Sequence, residues 1–74
     1  MTDFTETKKV INDCVKIVLK QANYLLEVEG RMQRQKYFII ELYFINPCSF
    51  AFAKKFIYKK SAEKYFQKLV KQYI

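Results

Sequence analysis

The stretch from Tyr58 to Ile74 constrains this chain more than any other. From Ala62 onward the apolar residues fall at Ala62, Tyr65, Phe66, Leu69, Val70, Tyr73 and Ile74. That spacing is the i, i+3, i+4, i+7 stripe of an amphipathic helix, and no Gly or Pro interrupts it. Ser61 stands where an N-cap would, its hydroxyl able to accept from a free amide of the first turn. Lys64, Lys68 and Lys71 fall on the opposite face, and Lys59 and Lys60 stand just before the first turn. Crowding lysines there is unfavourable for the helix itself, whose N-terminus already carries about half a positive charge. A bound anion, phosphate above all, relieves that repulsion.

The charge of the rest of the chain points the same way. The net charge of +7 is unevenly spread. Residues 1–30 carry Lys8, Lys9, Lys16 and Lys20 against Asp3, Glu6, Asp13, Glu27 and Glu29, a net of −1. Residues 31–74 carry ten basic residues against Glu41 and Glu63, a net of +8. A polyanion would bind the second half. With 74 residues and one Gly and one Pro, the sequence reads as a single small domain over 1–74, not a linker or repeat array.

Several chemistries are disfavoured. The chain has no His, and Cys14 and Cys48 lack metal-ligand spacing, so neither metal nor cofactor is expected. Cys14 falls on an apolar stripe and is expected to be a buried thiol. Glu27 and Glu29 share a strand face, but no nucleophile, base or Gly-rich phosphate loop accompanies them, so no enzyme is expected. The opening Met1-Thr2-Asp3-Phe4-Thr5-Glu6 is acidic and polar, unlike a signal peptide, and the apolar run Tyr37 to Ile45 contains Glu41 and is too short to span a bilayer. These features predict an intracellular, soluble protein.

Taken in order, Lys8 to Ala22 has helix-compatible apolar spacing, although Val10, Ile11, Val15, Ile17 and Val18 are β-branched and weak helix formers. Tyr24 to Glu29 alternates like a strand. Gly30 opens a basic connection, Arg31-Met32-Gln33-Arg34-Gln35. Lys36 to Ile45 is the strongest strand signal, with Glu41 on the Tyr37/Ile39/Tyr43 face and Phe38, Ile40, Leu42 and Phe44 directed inward. Asn46-Pro47 signals a turn, and Ser49 to Ile57 a third strand. The predicted order is α-β-β-β-α, an α+β fold with a three-stranded antiparallel sheet and both helices on one face.

With that order, the chain resembles the double-stranded-RNA-binding domain family. Lys59-Lys60-Ser61-Ala62 is similar to the family's Lys-Lys-x-Ala at the start of its second helix. Tyr24-Leu25-Leu26-Glu27-Val28-Glu29-Gly30 resembles its first strand and following Gly, and Phe38-Ile39-Ile40-Glu41-Leu42 its second strand. Ile11-Asn12-Asp13 resembles the Leu-Asn-Glu of its first helix. The resemblance implies sequence-independent binding of duplex RNA by shape. Lys59, Lys60 and Lys64 would bridge phosphates across the major groove. Asn12, Asp13 or Lys16 would touch one minor groove, and Arg31, Gln33 or Arg34 the other.

The alternative reading is a protein-interaction or dimerisation module of the same fold. Seven Phe and six Tyr exceed what so small a core hides. Phe4, Tyr43, Phe50, Phe52 and Tyr73 are the candidates for an exposed patch that would take a second copy or another protein. The sheet-edge strand offers a second route to pairing.

Overall fold

The computed structural model describes residues 2–45 and 48–74. Four strands, β1 (Asp3–Ile11), β2 (Val15–Val28), β3 (Arg31–Ile45) and β4 (Cys48–Phe56), precede one helix, α1 (Lys59–Tyr73). The strands form a single antiparallel sheet in the order β1-β2-β3-β4. The three-stranded, two-helix arrangement expected from sequence is therefore corrected to a four-stranded meander with one C-terminal helix. The expected Asn46-Pro47 turn lies outside the described residues.

The missing helix is the one expected over Lys8 to Ala22, which is strand on either side of a turn. Its β-branched residues favour a pleated backbone, and Asn12-Asp13 breaks the stretch into two paired strands. The Asn12 side chain builds that turn. Its Oδ1 accepts from the backbone amides of Cys14 and Val15, both at 2.8 Å, and the Asn12 backbone amide donates to the Val15 carbonyl at 3.0 Å. The apolar run Ile17-Val18-Leu19 mimics a helix stripe because both of its faces are buried. Cys14 sits in this turn as an exposed thiol, not a buried one, and Cys48 is likewise free and exposed.

Arg31 to Gln35 is not a loop either. Val28 pairs with Arg31 across the two residues Glu29 and Gly30, whose φ angles are 52° and 76°. Positive φ at both positions is the signature of a type I′ hairpin turn, whose twist suits the flanking strands. The basic residues therefore continue β3. β1 reaches only to Asn23 and β4 only to Phe38, so Tyr24 to Gln35 projects as a two-stranded arm. The arm gives the molecule its longest dimension, 48 Å.

One face of the sheet carries the core. Ile17, Leu19, Phe38, Ile40 and Leu42 meet Ala62, Phe66 and Leu69 of α1, and Phe52, Phe56, Tyr65, Val70 and Tyr73 close the edges. Residues 62, 66 and 69 follow the i, i+4, i+7 spacing read from sequence. Burying side chains such as Phe66 and Leu69 contributes on the order of 1.5–3 kcal/mol each. Phe44, expected inside, lies past the end of this cluster and is exposed. Asn12 Nδ2 donates to the Tyr73 carbonyl at 3.4 Å, tying the β1–β2 turn to the last turn of the helix.

Among the described residues no helix covers the other face. Register places Lys16, Val18, Lys20, Ala22 and Tyr24 of β2 there, beside Tyr37, Ile39, Glu41 and Tyr43 of β3. Irregularities between Glu6 and Lys8 in β1 and opposite Leu42/Tyr43 in β4 bend both edge strands, which discourages further strand pairing.

Candidate nucleic-acid interface

α1 begins two residues before Ser61. Tyr58 is the N-cap, extended at φ −103° and ψ 134°, and the Ala62 amide donates to its carbonyl at 3.1 Å. No side chain caps the helix and no acidic residue stands in its first turn, so Lys59 and Lys60 occupy the turn itself. From there Lys60, Lys64, Lys68 and Lys71 run along the solvent side at i, i+4, i+8 and i+11, opposite the buried Ala62, Phe66 and Leu69. At 1.5 Å per residue this ridge is about 16 Å long. Glu63, the only acid on the helix, is turned toward β1, where Lys8 Nζ reaches its Oε2 at 3.2 Å. On the β4 flank, Lys54 Nζ lies 4.5 Å from the Tyr65 ring centroid and 5.5 Å from that of Phe56. The ridge has cations on it and none of its own anions.

The remaining residues singled out from sequence do not join this ridge. Asn12 and Asp13 form the β1–β2 turn at one end of the sheet. Asn12 is committed there to three backbone groups of the turn and to the Tyr73 carbonyl. Lys16 pairs with Tyr43 on the helix-free face, 5.7 Å from its ring centroid. Arg31 and Arg34 are exposed on the arm, with Arg31 beside the tip and Arg34 opposite Leu25. From Lys16 to Val28 the strand alone extends about 40 Å, so the two sets of minor-groove residues stand at opposite ends. Lys59, Lys60 and Lys64 are the group that stays together. Lys68 and Lys71 join them, and Lys54 flanks them. Lys68 and Lys71 are visible in the helical spacing of the sequence; Lys54 enters only through the fold.

The helix-free face has its own electrostatics. Lys20 Nζ lies 2.7 Å from Glu41 Oε1, an oxygen shut off from solvent and without an aligned hydrogen bond, so Lys20 is its counter-charge. This contact with Glu41 holds the Lys20 ammonium above the usual lysine range, against the opposing effect of burial. Burial, and then the same carboxylate, push the Tyr43 phenol up from its ordinary value.

Among the described residues, no cluster of three or more His, Cys, Asp or Glu is placed to hold a metal ion. No helix among them is long and apolar enough to cross a membrane. Set against known proteins, the chain matches no family model, no curated protein and no solved structure.

Proposed function

We propose that this chain is a non-catalytic nucleic-acid-binding domain that takes phosphates of the backbone along the outer face of α1. The observation that carries this is the ridge Lys60, Lys64, Lys68 and Lys71, which enters none of the ion pairs among the described residues and starts from a helix N-terminus with no side-chain cap and no acid in its first turn. Backbone phosphates are the polyanion that such a row neutralises, releasing condensed counterions as it does so. Duplex RNA is one such ligand. Selectivity for its shape, however, needs groove contacts at fixed separations from the lysines, and the helix that would have supplied one set is the turn and strands around Asn12. The reading is therefore backbone binding with shallow preference among nucleic acids.

The test is affinity against salt concentration for a ~20-base-pair RNA duplex, the same DNA duplex and a single strand. Replacing Lys60, Lys64 and Lys68 together by Gln is expected to reduce the log–log slope on duplex by roughly 2–3, at about 0.9 for each phosphate no longer neutralised. An unchanged slope in a folded triple variant refutes the site. A strong preference of the wild type for the RNA duplex would refute the shallow preference and return the duplex reading.

A second reading is favoured by the arm, where Leu25, Leu26 and Met32 are exposed at 54%, 45% and 61%. Such a ribbon suits self-association or a protein partner. Sedimentation across a concentration series tests it, with Leu26→Ser and Met32→Ser expected to abolish any dimer.

A further inference from the structure

The helix-free face of the sheet is built differently from the lysine ridge. It holds two stations, each an aromatic pair with a lysine over one ring. At the first, Tyr43 and Phe50 meet edge to face with centroids 5.5 Å apart, and Lys16 Nζ lies 5.7 Å from the Tyr43 ring. At the second, Tyr24 and Tyr37 are 5.7 Å apart and Lys55 Nζ lies 4.3 Å from the Tyr37 ring. Tyr43 and Tyr37 sit on the same face of β3, six residues apart, which is roughly 20 Å along the strand. Between them the Lys20–Glu41 pair cancels its own charge. Lys16 and Lys55 have no carboxylate partner among the described ion pairs, leaving the face net positive where it is aromatic.

From this we infer that the helix-free face is a stacking platform for single-stranded nucleic acid, with bases on Tyr37 and Tyr43 and phosphates on Lys55 and Lys16. The inference rests on the nucleic-acid reading above and names the strand class and a second surface. The chemistry is complementary on both counts. A base offers a π-face to a tyrosine without regard to sequence, and the phosphate beside it supplies the anion that these lysines lack. The lysines over the half-buried Tyr37 and Tyr43 rings do not bar a base, because each is an exposed or half-buried side chain on a flexible stem that can swing aside. A duplex, whose bases are already stacked on each other, offers this face nothing beyond its phosphates.

The experiment compares a ~12-nucleotide oligothymidine, within the site sizes of single-strand binders, with an abasic oligonucleotide of equal length. Both carry the same phosphates. With six Tyr and no Trp, the protein reports base stacking directly as quenched tyrosine fluorescence. The expected result is quenching by the base-bearing strand and at least tenfold tighter binding of it than of the abasic one. Tyr37→Leu with Tyr43→Leu is expected to erase that preference while leaving the salt dependence due to α1. The wild-type comparison stands even where that variant does not fold. Equal binding of the two strands without quenching overturns the platform and leaves the α1 reading intact. Failure of both strands to bind overturns both. A dimer of the wild type that Tyr37→Leu and Tyr43→Leu dissociate, in the absence of nucleic acid, assigns the face to a second copy and overturns the platform.

Discussion

Substitution of Asn12 separates the fold described above from the one its flanking residues suggest. The side chain accepts two backbone hydrogen bonds at 2.8 Å and donates one, longer, to the Tyr73 carbonyl at 3.4 Å. In Asn12→Ala the Cys14 amide is left in an exposed residue, where water replaces the missing acceptor. The Val15 amide belongs to a residue only 3% exposed, and desolvation there costs about 1–3 kcal/mol. With a smaller penalty at Cys14 and Tyr73, the total is about 2–3 kcal/mol. A chain of 74 residues is stable by roughly 4–11 kcal/mol, so this is a large fraction. Asn12→Asp keeps both acceptors, loses the donor to Tyr73 and sets a negative charge near the helix C-terminus, costing about 0.3–1 kcal/mol. Urea unfolding followed by circular dichroism should therefore rank wild type above Asp and Asp above Ala. The folded Ala variant should bind an oligonucleotide as the wild type does. An Ala variant as stable as wild type refutes the turn. Weakened affinity at unchanged stability would restore Asn12 to a nucleic-acid contact.

Two further outcomes follow from local geometry. Glu29 holds a left-handed φ of 52° that Asn tolerates better, so Glu29→Asn is expected to stabilise the arm by about 0.5–1 kcal/mol. The gain should show as slower amide exchange from Leu25 to Arg34, and unchanged or faster exchange there contradicts the turn type. Lys20 and Tyr43 both hold their proton more tightly in the folded protein than at the ordinary values of 10.5 and 10.0. The stability they contribute is thus fully present below about pH 10 and is lost as pH rises through their folded values. Glu41→Gln removes the anion common to both, and its urea midpoint should fall less steeply above about pH 10 than that of the wild type. An equally steep decline would rule out Glu41 as the cause.

The parts of the molecule that sequence alone makes legible are those whose periodicity is local. The α1 stripe at Ala62, Phe66 and Leu69 is readable because residues four apart on a helix are neighbours whatever the rest of the chain does. The inward set Phe38, Ile40 and Leu42 is readable for the same reason at a period of two. Lys8 to Ala22 misleads because a strand buried on both faces loses its alternation: Ile17 and Leu19 face α1, yet Val18, on the other side, is 1% exposed. The decisive signals are there in the β-branched residues and in Asn12-Asp13, but apolar spacing outweighs them.

The two candidate surfaces differ in the same way. The lysine ridge belongs to one helix, so it can be read before any fold is known. The stations on the helix-free face belong to several strands at once. Lys16, Tyr43 and Phe50 come from β2, β3 and β4, and become neighbours only through the registers Lys16↔Tyr43 and Tyr43↔Phe50. The second register itself follows an irregularity after Leu42, without which Phe50 would fall on the α1 side with Phe52 and Phe56. The plain alternation of Phe50, Phe52 and Phe56 places all three on one face. The local bulge moves Phe50 to the other and so completes the aromatic pair. The extra residue in that edge strand is Ala51, and removing it tests the register. Deleting Ala51 would remove the bulge and still leave Phe50 opposite Tyr43, next along the strand from Phe52 and on the other face, so the Tyr43 station and the lysine ridge should both survive; loss of the station in the folded deletion variant would refute the register.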